Sequence, residues 1–114
     1  MSSKRVLRIN KNSKFIFEAI KEGKKSVETR AASVRYKNIS IGDVLIFTCG
    51  DKRLEKEVKR VKRFASIHSL LKSVNFKKVM PWVSSVKEVE KSYYKFPGYK
   101  EKIKQLGLIA MYLK

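Results

Sequence analysis

Residues 54–65 read Leu-Glu-Lys-Glu-Val-Lys-Arg-Val-Lys-Arg-Phe-Ala, and whether they form a helix or a strand decides the fold. Leu54, Val58, Val61 and Ala65 recur at i, i+4, i+7 and i+11, the spacing of one face of an amphipathic helix. Taken alone, that spacing predicts a helix. A strand is compatible with the same residues if a bulge between Val58 and Val61 resets the side-chain alternation by one residue.

The flanking segments mix strands and short helices. Upstream, residues 5–9 alternate as an opening strand, and Asn12 or Ser13 can cap a helix carrying Phe15, Ile16, Phe17, Ala19 and Ile20 to a stop at Gly23. Residues 26–30 form a short strand with Val27 and Thr29 on one side and Ser26, Glu28 and Arg30 on the other. Ile41-Gly42-Asp43 supplies a turn, residues 44–48 an apolar strand, and Gly50-Asp51 the next turn. Downstream, residues 66–73 read as a helix opened by a serine and residues 76–81 as an irregular link. Residues 84–94 read as a helix burying Val86, Val89 and Tyr93, with Ser84 or Ser85 as its cap and Glu88 at capping-box spacing. After the break at Phe96-Pro97-Gly98, Tyr99, Ile103 and Leu106 mark another short helix ended by Gly107, and residues 108–113 close the chain as a strand. No linker or repeat divides the sequence, so a single domain over residues 1–114 is expected. Strands and short helices without regular βαβ alternation favour an α+β fold built on a small curved sheet or barrel.

Composition narrows the function. The chain carries 28 Lys and Arg against 10 Asp and Glu, a formal charge of +18, with 43% hydrophobic residues, enough to fill a small core. The charge is spread along the chain, +6 over residues 1–30, +4 over 50–64 and +4 over 92–114, so the folded surface itself is cationic. Such a surface suits a polyanion, and nucleic acid leads; a merely lysine-rich solvated surface, or one facing an acidic protein, is the plainer alternative. With 21 Lys against 7 Arg, contact with a phosphate backbone is favoured over base reading. No apolar run approaches the roughly 20 residues of a membrane-spanning helix, and Met1-Ser2-Ser3-Lys4-Arg5 leads into no secretory segment. The lone Cys49 closes no intrachain disulfide, and no Cys/His set suggests a metal. A cytoplasmic protein without membrane contact, metal or cofactor is expected.

The densest chemistry lies at residues 23–30, Gly-Lys-Lys-Ser-Val-Glu-Thr-Arg. Extended after a helix stop, this run puts Lys24 and Lys25 at the mouth of a strand that projects Ser26, Glu28 and Arg30 to one side. A carboxylate between cations keeps its charge and accepts hydrogen bonds, while a desolvated lysine moves toward a catalytic pKa. The structural alternative is a surface strand whose charges pair with one another and do nothing else.

At this octet the chain resembles the ASCH domain family of the PUA-like superfamily, small β-barrels that mostly bind RNA. Gly23, Lys25, Glu28 and Arg30 match the family's G-x-K-x-x-E-x-R motif, and residues 41–47 are similar to its Ile-Gly-Asp turn and strand. Phe64-Ala65-Ser66 with Leu70-Leu71, and Tyr99 followed by Gly107-Leu108-Ile109-Ala110, are similar to its later landmarks. The resemblance implies a PUA-like β-barrel of about five to six strands with short peripheral helices, and it turns residues 54–64 into a long strand, the reading adopted here over the helix. It also implies that the 26–30 strand lines a cleft, with RNA, single-stranded or structured, as the partner and no obligate protein partner. Nucleic-acid contacts are then expected from Lys24, Lys25, Ser26, Glu28 and Arg30, and from Arg53, Lys59, Arg60, Lys62 and Arg63 as a phosphate track beside the cleft. For that track, a charged edge that blocks pairing with other chains is the competing account. Bases stack on aromatic rings, and Trp82 and Tyr94 are the candidates; Tyr93, at core spacing, is expected to pack.

Some ASCH proteins are hydrolases acting on N4-acetylcytidine or on RNA, which makes a metal-independent amidohydrolase or ribonuclease the second expectation. The resemblance assigns an activating lysine to Lys25. Glu28 stands where the amidohydrolases carry a nucleophilic threonine, and around Met80-Pro81-Trp82 there is no carboxylate at the place of their acid. Lys25 and Glu28 would be the catalytic residues if the chain is an enzyme. His68 has no partner nearby in sequence and is assigned no chemistry, and Cys49 is expected to be a small buried residue.

Overall fold

The decisive stretch is a strand. In the computed structural model, which describes residues 3–114, Lys52–Phe64 runs as one element of 13 residues; Met1 and Ser2, part of the amino-terminal reading, lie outside the described residues. Against the last strand, Val58 pairs with Leu113 but Arg60 with Tyr112 and Val61 with Met111, so Lys59 is the extra residue of a bulge. The inserted residue returns Val61 to the side of Leu54 and Val58, and all three join one apolar cluster with Ile109, Met111 and Leu113. The spacing of four and then three that imitates a helix is therefore strand alternation with one residue added, and the helix predicted by spacing alone is corrected.

The elements run β1 (Lys4–Arg8), a 3-10 turn (Lys11–Ser13), α1 (Lys14–Lys21), β2 (Val27–Ala31), β3 (Val44–Cys49) and β4 (Lys52–Phe64). They continue with α2 (Ile67–Ser73), α3 (Phe76–Val79), α4 (Val86–Tyr94), α5 (Tyr99–Leu106) and β5 (Leu108–Leu113). The five strands form one sheet in the order β1-β3-β4-β5-β2, parallel only between β1 and β3. The first half of β4 pairs with β3 and the second half with β5. A strand shared in this way has to bend, and bulges strengthen local twist; the sheet curls into a half-barrel with β1 and β2 as its two edges.

Two cores result. Strand β5 is apolar on both faces, as a strand covered on both sides must be. Ile109, Met111 and Leu113 face the hollow of the curl with Leu7, Phe17, Leu45 and Phe47, while Leu108, Ala110 and Tyr112 face α2–α5 with Leu70, Val79, Val89 and Ile103.

Two helix starts follow their expected caps, whereas α1 does not: Ser13 stands at its N-cap without a side-chain hydrogen bond, and Asn12 lies in the preceding 3-10 turn, which Asn10 caps. Ser66 Oγ accepts the Ser69 N–H at 3.1 Å to open α2, and Ser85 Oγ accepts the Glu88 N–H at 3.3 Å to open α4. Glu88 in return accepts the Ser84 N–H at 2.7 Å, satisfying donors that the first turn leaves open. Three expectations change. Residues 76–79, read as an irregular link, form a helical turn capped by Asn75. Val86, placed on a buried face by spacing, and Leu106, one of the apolar markers of the last helix, sit at the outer ends of their helices and are exposed, whereas Val89, Tyr93 and Ile103 are buried.

Gly107 joins α5 to β5 at φ 73°, and a Cβ there would lie 2.5 Å from the Phe64 carbonyl oxygen. Gly107→Ala therefore meets both a left-handed backbone and a clash with backbone, and should lower the thermal midpoint by roughly 10 °C. Deleting Lys59 removes the bulge and keeps every flanking side chain on its own face. Deleting Lys56 instead inverts the strand beyond it. In circular-dichroism melts the Lys59 deletion should fold with a modestly lower midpoint and the Lys56 deletion should give no cooperative transition.

Candidate functional site

Strand β2 has a neighbour on one side only, and side chains satisfy much of its other edge. Lys25 Nζ donates to the Val27 carbonyl at 3.0 Å and to the Val79 carbonyl at 2.6 Å, Glu28 Oε1 accepts the Thr29 N–H at 2.9 Å, and the Tyr99 hydroxyl accepts the Ala31 N–H at 2.8 Å. The helix stop at Gly23, φ 80°, lets the chain turn so that Lys25 enters the interior.

Lys25, just before β2, and the two charged residues of the strand form a chain of ion pairs. Lys25 Nζ lies 3.4 Å from Glu28 Oε1, and Arg30 Nη2 lies 3.4 Å from Glu28 Oε2, with Lys25 and Glu28 only 4% and 6% exposed. Arg30 also donates to the Tyr36 hydroxyl at 3.3 Å and stacks over its ring. Burial pulls the Lys25 ammonium below its ordinary pKa, opposed by the charge of Glu28. Burial alone would raise Glu28, but Lys25, Arg30 and the Thr29 N–H outweigh it and hold the carboxyl below 4.5. On the other side of the strand, Thr29 and Tyr93 share a hydrogen bond between their hydroxyls, and burial raises the Tyr93 phenol. Tyr93 stacks on Tyr99 with ring centroids 6.3 Å apart.

These groups line a cleft of about 780 Å³ in the unclosed seam of the half-barrel. One wall comes from the end of β1 through α1, including Arg8, Asn10 and Phe15; the floor from Lys25, Glu28, Thr29 and Arg30; the other wall from residues 80–99, including Trp82, Lys91, Tyr93 and Phe96. Phe15 and Trp82 meet edge to face with centroids 5.0 Å apart, joining the two walls. Phe15, Trp82 and Phe96 are all substantially exposed. Arg8, Lys91 and Lys95 add positive charge to the lining, and none of the three makes an ion pair among the described residues. The volume is typical of a small-molecule site. Among the described residues no group of His, Cys, Asp or Glu gathers as a metal site, and no helix is long and apolar enough to cross a membrane.

Of the residues proposed from sequence, the cleft brings together Lys25, Glu28, Arg30 and Trp82. Ser26 directly precedes β2 and lies outside the lining, its N–H bound to the Lys78 carbonyl, and Lys24 is exposed and paired with Glu22 at 3.6 Å. Tyr94 is exposed, with Lys100 over its ring, and does not line the cleft; its neighbour Tyr93 does. The cations of β4 are not a single track. Arg60 and Lys62 share the outer face, over Tyr112 and Phe64, whereas Arg63 turns the other way to the Lys37 carbonyl. Arg53 pairs with Glu55 at 3.1 Å, and Lys59 is the exposed bulge residue. Sequence reasoning missed Arg8, Phe15, Thr29, Lys91, Lys95, Phe96 and Tyr99. An apolar ring on a helix otherwise read as core was the available sign for Phe15.

No protein-family model matches the chain, and no curated protein matches it. The architecture defines a small α+β protein with a half-barrel sheet, and solved structures share it. The crystal structure of the hypothetical protein PH0355 is 30% identical with a TM-score of 0.82, the match covering 100% of this chain and 98% of that one. The solution structure of protein PF0455 from Pyrococcus furiosus is 28% identical with a TM-score of 0.75, covering 100% of this chain and 96% of that one. This chain belongs to the family of the hypothetical protein PH0355.

The carboxylates make the fold acid-sensitive. Glu28 and Asp43 both titrate below their ordinary 4.5 and 3.8, Asp43 because the Ser3 and Ser40 N–H groups overcome the effect of its burial. Between the folded and ordinary values the unfolded chain binds more protons, so the stabilisation is complete above the ordinary values and is lost as pH falls through the folded ones. Urea midpoints should be level above pH 5 and fall steeply below pH 4. Glu28→Gln should flatten that fall, and at pH 7 should cost about 3 kcal/mol by leaving the Lys25 charge buried without its partner.

Proposed function

We propose that this protein binds RNA, single-stranded or structured, and takes one unpaired nucleotide into the seam of the half-barrel. The observation that carries the reading is the grouping of three exposed rings, Phe15, Trp82 and Phe96, above a polar floor of buried Glu28 and Thr29 and half-buried Arg30 in one cleft. A base offers a flat face to stack and an edge of donors and acceptors to pair, and this lining meets both needs. Arg8, Lys91 and Lys95 are available to flanking phosphates. The similarity of residues 23–30 to the ASCH motif of PUA-like RNA-binding barrels points the same way.

A hydrolytic role finds less support. The Lys25 ammonium already donates to the Val27 and Val79 carbonyls and is ion-paired with Glu28 at 3.4 Å, and the Thr29 hydroxyl is bonded to Tyr93, not to a base.

The test is binding of a short oligoadenylate as a function of salt. Three phosphate contacts predict that log K falls against log salt with a slope of about −2, and that each of Arg8→Ala, Lys91→Ala and Lys95→Ala makes it shallower by about 0.7. Trp82→Ala should weaken binding by about tenfold, and Tyr94→Ala should change it little. Absence of binding at low salt would sink the proposal.

A further inference from the structure

We infer that Lys25 is a positioning residue for the aromatic wall of the cleft, holding the Trp82 ring where a base stacks; the inference rests on the nucleotide reading of this cleft. The ammonium joins three parts of the molecule. It donates to the Val27 carbonyl on β2 and to the Val79 carbonyl at the end of α3, and it stands 5.7 Å from the centroid of the Trp82 ring. That separation is within the range of cation–π attraction, which is strongest for Trp and grows when the cation is desolvated. Lys25 is 4% exposed, whereas Trp82 is 36% exposed, so the lysine is the fixed partner and the indole the part presented to a ligand.

The chain from Val79 to Trp82 is the shortest route by which α3 can place the indole. Lys25 pins its first carbonyl and faces its last ring. The indole also meets Phe15 of α1 in an edge-to-face contact, at 5.0 Å and 81°. The lysine and α1 are thus both in contact with the indole. With two protons on the Val27 and Val79 carbonyls and its charge paired with Glu28, Lys25 acts on a bound nucleotide through Trp82 and not by touching it.

Trp82 is the sole tryptophan, so the protein's tryptophan emission reports this ring alone. The proteins compared are the unsubstituted chain, Lys25→Gln, Trp82→Ala and Lys25→Gln/Trp82→Ala, each checked for cooperative melting. The probes are a short oligoadenylate and the same strand with an abasic centre. Glutamine keeps amide protons for the two carbonyls but gives the indole no charge. Lys25→Gln should shift the emission of the free protein, lower its anisotropy and weaken oligoadenylate about tenfold, while the abasic strand changes by less than about twofold. The double variant should bind oligoadenylate no worse than Trp82→Ala alone, because two residues acting through one contact are not additive. Unchanged emission, additive losses or equal weakening of both strands overturns the inference. Should Lys25→Gln fail to fold, Lys25→Gln/Glu28→Gln removes both buried charges together, and its emission decides. Failure of the unsubstituted chain to bind oligoadenylate overturns the nucleotide reading instead, and the emission shift still decides whether Lys25 places Trp82.

Discussion

An edge strand inside a protein has to satisfy its outer backbone groups without another strand, and in this fold β2 does so with side chains, two from its own neighbourhood in sequence and one from α5. Lys25 takes the Val27 carbonyl, Glu28 takes the Thr29 N–H, and Tyr99 takes the Ala31 N–H. A sixth strand in that place would close the barrel and fill the seam. Side chains end the hydrogen bonding while leaving a hollow beside it, so the device that makes β2 tolerable as an edge also makes the cleft.

The cost is the burial of a lysine and a glutamate. Ions taken out of water lose several kcal/mol of hydration each, and mutual attraction repays this only when the remaining donors and acceptors are met. Here they are met: no buried side-chain nitrogen or oxygen lacks a partner among the described residues. The array of Lys25, Glu28 and Arg30 has a net charge of +1, small beside the +18 of the chain. The overall field is that of a cationic surface and is screened by salt beyond about 10 Å. The floor of the cleft, nearly neutral, offers shape and hydrogen-bonding groups in place of net charge.

Much of this was readable in the chain. The caps at Ser66 and Ser85, the apolar strands β3 and β5, the α+β class and the shared side of Glu28 and Arg30 all follow from local chemistry. The strand at residues 52–64 did not follow from periodicity, because one inserted residue turns a spacing of two into the four-and-three of a helix. The resemblance of the neighbouring motifs supplied the strand, and Lys59 explains why the spacing failed. The seam was harder to see. Arg8 and Phe15 are far from residues 25–30 in sequence and join them only because the sheet curls.

Tyr93 and Tyr94 show why even a correct helix prediction misplaced a site residue. The stripe of α4 puts Tyr93 on the buried face, and Tyr93 is indeed 3% exposed; from burial it follows that Tyr94, on the open face, should be the one to meet a ligand. That step holds where a helix packs on a closed core. Helix α4 packs instead across the seam, so its buried face is the wall of the cleft, and the residue that looks like packing has its hydroxyl on Thr29 in the floor. At an unclosed barrel, core and site share a face, and burial by itself no longer separates them.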